Sequence, residues 1–400
     1  MKETTLTYLK TYIIAIAAFL LALFLVSCIP QSILKNNAYS GRENAIQGKY
    51  PLYRLTETNN FSTFIDVAAD EVMIDLSYEL GLPESSVINP VVFVEHANSV
   101  VHYGRYWHGY AAVIRPLLVI TDQKGITTIM AIIVIALLTL LSVSLIIRKH
   151  YILALIIPLM AYMTYFNIVI KCLEYMFCMA IALGFSVYIC LKKEIKNRYL
   201  MYFIIGMCVA YFDFLTFETL TLTLPLIIDI SVHEDINIRS FLLTCINWGS
   251  GYILSMGTNY LLLICSGNDM TISNQKLIEK ISSEYSPIEA IGMNLMSVRL
   301  MDSLGMWIAI LLFSLFIIYI MGSYCRTNYY FFIITMIPII RYAVLSGHSG
   351  GHFAFTYHAL MGTLIAFGII ITSPIKFFVF TPKEERKKQK EPKEITKSPN

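Results

Sequence analysis

The chain has 400 residues, 56% of them hydrophobic and only 14% charged, where soluble domains carry roughly a quarter charged residues. Water is therefore excluded as its main solvent, and the +3 net charge sits on no soluble basic module that would suit a nucleic acid. Eight cysteines are scattered through apolar runs without the paired spacing of a zinc site or a disulfide framework.

Hydropathy marks ten candidate spans near residues 11–28, 127–147, 151–170, 172–191, 199–212, 214–230, 241–265, 304–323, 328–345 and 354–373. The expected fold is an all-α integral membrane protein: one polytopic domain over residues 1–380, then a basic, disordered cytoplasmic tail over 381–400. Leu25, Val26, Ser27 and Cys28 follow a basic start and an apolar core, as in a lipoprotein cleavage box. Nine further spans need no lipid anchor, so the reading adopted is an uncleaved first helix.

The long loop 29–126 comes next, expected to carry short amphipathic helices on the outer side. Asp66 and Asp70 stand four apart in a stretch whose Ala, Met and Leu content favours a helix, which puts both acids on one face. An acid above the membrane suits a general base or a cation site; the same pattern also describes a solvated amphipathic helix. Further on, His102, Arg105, Tyr106, Trp107, His108 and Tyr110 precede Arg115 and Pro116. Aromatic faces stack on sugars and guanidinium forks grip phosphates, whereas an interfacial aromatic belt accounts for the Tyr and Trp but not for the Arg and His.

Between later spans, Asp213, Thr216 and Glu218 interrupt two apolar runs, where a helix cap is the simpler reading and a ligand contact the functional one. Lys171 and Glu174 are expected to pair. A second outer loop covers 266–303. Ser346 to His358 brings His348, His352 and Tyr357 around a glycine-rich stretch; the histidines have i, i+4 spacing, but the Gly pair argues against a helix and against a metal site. With the N-terminus inside, ten spans place 18 of the 30 Lys and Arg on the cytoplasmic side, as the positive-inside rule requires. Arg105, Arg115, Lys171 and Arg341 then lie outside, close to or within spans, and call for a specific reason. No phosphate loop or dinucleotide fingerprint is present.

Arg105 to Tyr110 with Arg115 to Leu117, Tyr211 to Thr216 with Leu224 to Leu226, Trp248 to Tyr252, and Leu345 to Tyr357 together resemble a family of bacterial polytopic membrane proteins associated with cell-surface polysaccharide. That family is described as glucosyltransferase-like or GT-C, and Asp66 and Asp70 fit its outer-loop acid. The resemblance implies a bacterial plasma-membrane glycosyltransferase, with both termini cytoplasmic, that moves a sugar from a polyprenyl-phosphate carrier to a glycan or lipid acceptor among the membrane lipids. On that reading Asp70 or Asp66 is the base. Arg105, His348 and His352 stabilise the leaving phosphate, and Tyr106 and Trp107 stack on the sugar; His108, Arg115, Asp213, Glu218 and Tyr357 complete the site. The sequence marks no particular cofactor, and a divalent cation would be compatible. The chain departs from the pattern at Met256, Asn259 and His358, where the family carries Trp, Lys and Arg. A flippase for a polysaccharide intermediate and a non-catalytic scaffold are the alternatives.

Overall fold

The computed structural model describes residues 2–47, 67–79, 106–233, 236–265, 271–281, 285–301, 303–321, 325 and 327–375. Asp66, Arg105, His102 and the basic tail lie outside them. All regular structure among the described residues is helical. In chain order the helices are α1 (Lys2–Ser27), α2 (Gln31–Gln47), α3 (Val67–Glu79), α4 (Ala111–Leu118), α5 (Gln123–Ile147) and α6 (Tyr151–Met163). There follow α7 (Phe166–Val169), α8 (Leu173–Leu191), α9 (Arg198–Phe212), α10 (Leu220–His233), α11 (Ile238–Cys265) and α12 (Thr271–Ile281). The last group is α13 (Pro287–Met296), α14 (Leu304–Met321), α15 (Thr327–Val344), α16 (Ser346–Gly351), α17 (Phe353–Thr356) and α18 (Leu360–Ile375).

Five of these stretches are long and apolar enough to cross a membrane: Thr5–Ser27, Gln123–Ile147, Leu173–Leu191, Leu304–Met321 and Phe353–Ile375. The chain is thus a helical membrane protein. Each of the other expected spans coincides with a helix that is shorter or more polar. Helix α6, for example, stops at Met163 because Tyr165 turns into the left-handed region at φ 53°. Its 13 residues cover roughly 20 Å, less than the ~30 Å hydrocarbon core. Likewise the span expected at 214–230 begins as helix only at Leu220, since the residues before it form a turn.

Within α5, hydroxyls are satisfied by their own helix. Thr128, Thr139, Ser142 and Ser144 each donate to the carbonyl four residues back, which removes the cost of an unpaired group in hydrocarbon. Burial separates the layers. The apolar windows of α8 and of Phe353–Ile375 are 72% and 78% buried, against 11% for α1 and 28% for both α5 and α14. Helices α8, α10 and α18 therefore form the centre, and α1, α5 and α14 turn large side chains such as Ile132 and Phe316 outward. Helices α9 and α11 pack backbone to backbone: a Cβ on Gly206 would lie 2.0 Å from the Trp248 carbonyl, and one on Gly251 2.0 Å from that of Phe203. Small residues permit such approach between membrane helices.

The α1–α4 corner is fixed by Arg115, which is fully buried. Its Nε donates to the Val26 carbonyl at 2.7 Å and Nη2 to that of Ile29 at 2.6 Å, while Nη1 donates to the carbonyls of Ser77 at 2.6 Å and Tyr78 at 3.0 Å. One guanidinium thus closes the open C-terminal ends of α1 and α3, where carbonyls have no partner within the helix. Burial pulls its pKa down to about 10, so it remains a cation at neutral pH. Arg115→Met should destabilise the detergent-solubilised protein by roughly 3 kcal/mol or more in denaturant titration, because buried acceptors lose a charged donor. A change within about 0.5 kcal/mol, as for an ordinary surface position, would contradict the clamp.

Candidate functional site

The turn between α9 and α10 organises the polar end of the bundle. Asp213 accepts the Thr216 backbone N–H on Oδ2 at 3.0 Å and the Thr216 hydroxyl on Oδ1. That turn drives Leu215 into the left-handed region, φ 68°, a conformation that costs a non-glycine residue about 1–3 kcal/mol. The cost is offset by what the Leu215 carbonyl receives: Arg341 Nη2 at 2.7 Å and His348 Nε2 at 2.7 Å. Arg341 grips Glu218 in a fork, Nε to Oε1 at 2.9 Å and Nη2 to Oε2 at 3.2 Å, and Nη1 donates to Ser349 Oγ at 3.0 Å.

His348 donates from Nε2, so its Nδ1 is left as an acceptor, and Lys280 Nζ fills it at 3.1 Å. The ring is therefore neutral. Burial, then the positive charges of Lys280 and Arg341, hold its pKa well below the ordinary histidine value. The Lys280 ammonium also sits 5.6 Å from the centre of the Tyr106 ring, whose edge meets Phe214 at 5.3 Å. His108 and Tyr110 approach the same Phe214 ring at 5.7 and 5.0 Å. His352 is 4.8 Å from His348, ring centre to ring centre.

Three stretches singled out in the sequence, Tyr106 to Tyr110, Asp213 to Glu218 and His348 to Tyr357, therefore meet at one end of the bundle. The expectation that the glycine-rich stretch is not helical is corrected: residues 346–351 form α16. Its glycines serve close packing, since a Cβ on Gly350 would lie 2.4 Å from the Tyr285 ring. Behind it, buried Asn294 donates to the Ser349 carbonyl at 2.9 Å and accepts the Thr356 hydroxyl at 2.6 Å.

Other expected residues land elsewhere. Arg115 is the clamp of the α1–α4 corner and has no role in this cluster. Trp107 is fully buried, its indole N–H bound to the Ser255 carbonyl at 2.8 Å and its ring packed by Phe19 and Tyr211; it offers no open face for a sugar, and Tyr106 is only 2% exposed. Asp70 accepts the backbone N–H groups of Leu173 at 2.9 Å and Glu174 at 3.0 Å. It caps the N-terminus of α8 from 103 residues away, a favourable place for a carboxylate, and so acts as an anchor before it can be a base. Lys171 is exposed and makes no ion pair with Glu174. Tyr357 and His358 are buried in the wall beside Phe217, and His358 Nδ1 donates to the Thr164 carbonyl at 2.7 Å. The signal for Arg341 was a charge inside an apolar run; Lys280 carried none in a polar loop. No protein-family model, curated protein or solved structure matches the chain.

Two buried carboxyls share this end with those cations. Burial, reinforced by the charge of Glu218, raises the Asp213 pKa from 3.8 to about 7, against the opposing pull of the Thr216 donors and Arg341. A carboxyl that binds a proton more tightly folded than unfolded adds stability at low pH, which is lost as pH rises through the folded value. Unfolding free energy should therefore fall between about pH 4 and pH 7 and flatten above. Asp213→Asn should lose that slope and exceed the wild type in stability at pH 8; an unchanged slope in the variant would show that Asp213 does not titrate in this range.

Proposed function

We propose that the chain is a membrane glycosyltransferase of the GT-C type that moves a sugar from a polyprenyl-phosphate carrier to an envelope glycan or lipid. On this reading the five long apolar helices and the five shorter or more polar ones between them make ten passes of a bacterial plasma membrane, with both termini inside and the Asp213–His348 end outside. The feature that carries the reading is the meeting of the buried Asp213 carboxyl, whose pKa burial raises to about 7, with the Lys280 ammonium at one end of an apolar bundle. General acid–base work is best done by a group whose pKa lies near the working pH, and a departing phosphate is stabilised by positive groups already in place.

Asp213 takes the proton of the acceptor hydroxyl as its oxygen bonds to the anomeric carbon. The bond from that carbon to the carrier phosphate breaks, and the phosphate leaves with the electron pair towards Lys280, while Arg341 holds the turn that presents Asp213. Lys280 reaches the cluster from α12, a helix exposed along most of its length. Displacement of that helix is the route by which substrates enter an otherwise closed cluster. Asp70 holds α8 in place and takes no proton.

Cells lacking the chain, complemented with wild type, Asp213→Asn, Lys280→Met or Asp70→Asn, would be compared by mass spectrometry of their envelope glycans and lipids. A sugar increment should vanish in the deletion and with Asp213→Asn, whose transfer rate should drop about 10²- to 10⁴-fold. Lys280→Met should weaken the increment strongly, and Asp70→Asn should retain it. Identical profiles with and without the chain would refute the transferase reading. Loss with Asp70→Asn but not with Asp213→Asn would return the base to the first loop.

A further inference from the structure

Away from the polar cluster, a cavity of about 400 Å³ opens between α5, α6 and the turn that follows α6. Leu138, Pro158, Ala161 and Ile170 form its apolar wall, and Asn167 and Arg299 belong to its lining. Arg299 marks one end, because its backbone N–H is bound to the carbonyl of Met163, the last residue of α6, at 2.9 Å. Pro158, five residues earlier, lies roughly 7 Å deeper along the helix.

The guanidinium of Arg299 lies 4.1 Å from the ring centre of Tyr162 and 4.2 Å from that of Tyr165. It donates to the Tyr162 hydroxyl at 2.9 Å and to Asn167 Oδ1 at 3.2 Å. Its Nε is buried without an acceptor, and among the described residues no carboxylate comes within ion-pair distance. A fixed cation with no carboxylate partner among the described residues thus heads a groove lined mainly by apolar side chains.

We infer that this groove binds an anionic phospholipid of the surrounding bilayer, with an acyl chain along Leu138, Pro158 and Ala161 and the headgroup phosphate at Arg299 and Asn167. The charge calls for an anion and the wall for a hydrocarbon chain. The groove also lies on the flank where Leu155, Leu159 and Tyr162 are exposed, so the bilayer's own lipids reach it at the highest concentration and occupy it by mass action. The bound headgroup would steady the turn after α6, whose Thr164 carbonyl receives His358 and whose Tyr165 ring meets Tyr357 at 6.2 Å. Lipid occupancy is thereby coupled to one wall of the polar cluster, whatever reaction that cluster performs.

The purified full chain in detergent would be titrated with phosphatidylglycerol or phosphatidylcholine of the same acyl chains, and bound lipid counted by native mass spectrometry. Wild type should favour the anionic lipid by about fivefold, the scale of one cation–headgroup contact. Arg299→Gln should abolish the preference and Arg299→Lys should keep part of it. Equal retention of both lipids by wild type overturns the inference even if the variants fail to fold, as does an undiminished preference in Arg299→Gln. Retention of a polyprenyl phosphate with exclusion of phosphatidylglycerol would also overturn it and give the groove to a carrier lipid. None of these outcomes depends on sugar transfer.

Discussion

The fork between Arg341 and Glu218 is the constraint on which the polar end of this protein rests. Both side chains are more than nine-tenths buried, and each would be costly there alone: removing one partner of a buried pair typically costs about 3–5 kcal/mol. Together they tie α15 to the residues that open α10. The remaining guanidinium donors hold the Leu215 carbonyl and Ser349, which fixes the strained turn on one side and α16 on the other. With the turn held, Asp213 is trapped beside Glu218, Phe214 is set among Tyr106, His108 and Tyr110, and His348 is aligned between the Leu215 carbonyl and Lys280. The chemistry of the site follows from where this pair places its neighbours.

The same logic recurs at several other helix ends. Arg115 satisfies carbonyls at the ends of α1 and α3, and Asp70 satisfies N–H groups at the start of α8. At the far end of the bundle, Asp229 of α10 binds Arg198 and His233, both at 2.9 Å, while Arg148 and His233 meet on the Lys192 carbonyl. Water is absent from a hydrocarbon layer, so helix termini take their partners from side chains supplied by distant parts of the chain.

This reliance on distant partners explains what the sequence could reveal. The apolar runs are legible because hydropathy is a local property, and every expected span has a helix in it. The Asp213, Glu218 and His348 stretches were legible because polar residues stand out at the edges of such runs. The contacts of Arg115, Asp70 and Trp107 were not legible because they lie with distant backbone groups: the Ser77 carbonyl is 38 residues from Arg115, and the Ser255 carbonyl 148 residues from Trp107. No local pattern encodes those meetings. Lys280 was illegible for a related reason, since only the fold carries a lysine from an exposed helix to a histidine 68 residues away. The glycines at 350 and 351 suggested a turn, whereas Gly350 is needed to make room for Tyr285.

A double-mutant cycle on Glu218 and Arg341 tests the central claim most directly, by comparing the unfolding free energies of Glu218→Gln, Arg341→Met and the combined variant with wild type. The account predicts that each single change is severe and that the double variant is little worse than either alone, so that the coupling approaches the cost of one single change, about 3–5 kcal/mol. Additive effects within about 0.5 kcal/mol would mean that the two residues act independently, and the turn could not then be the element that assembles the site.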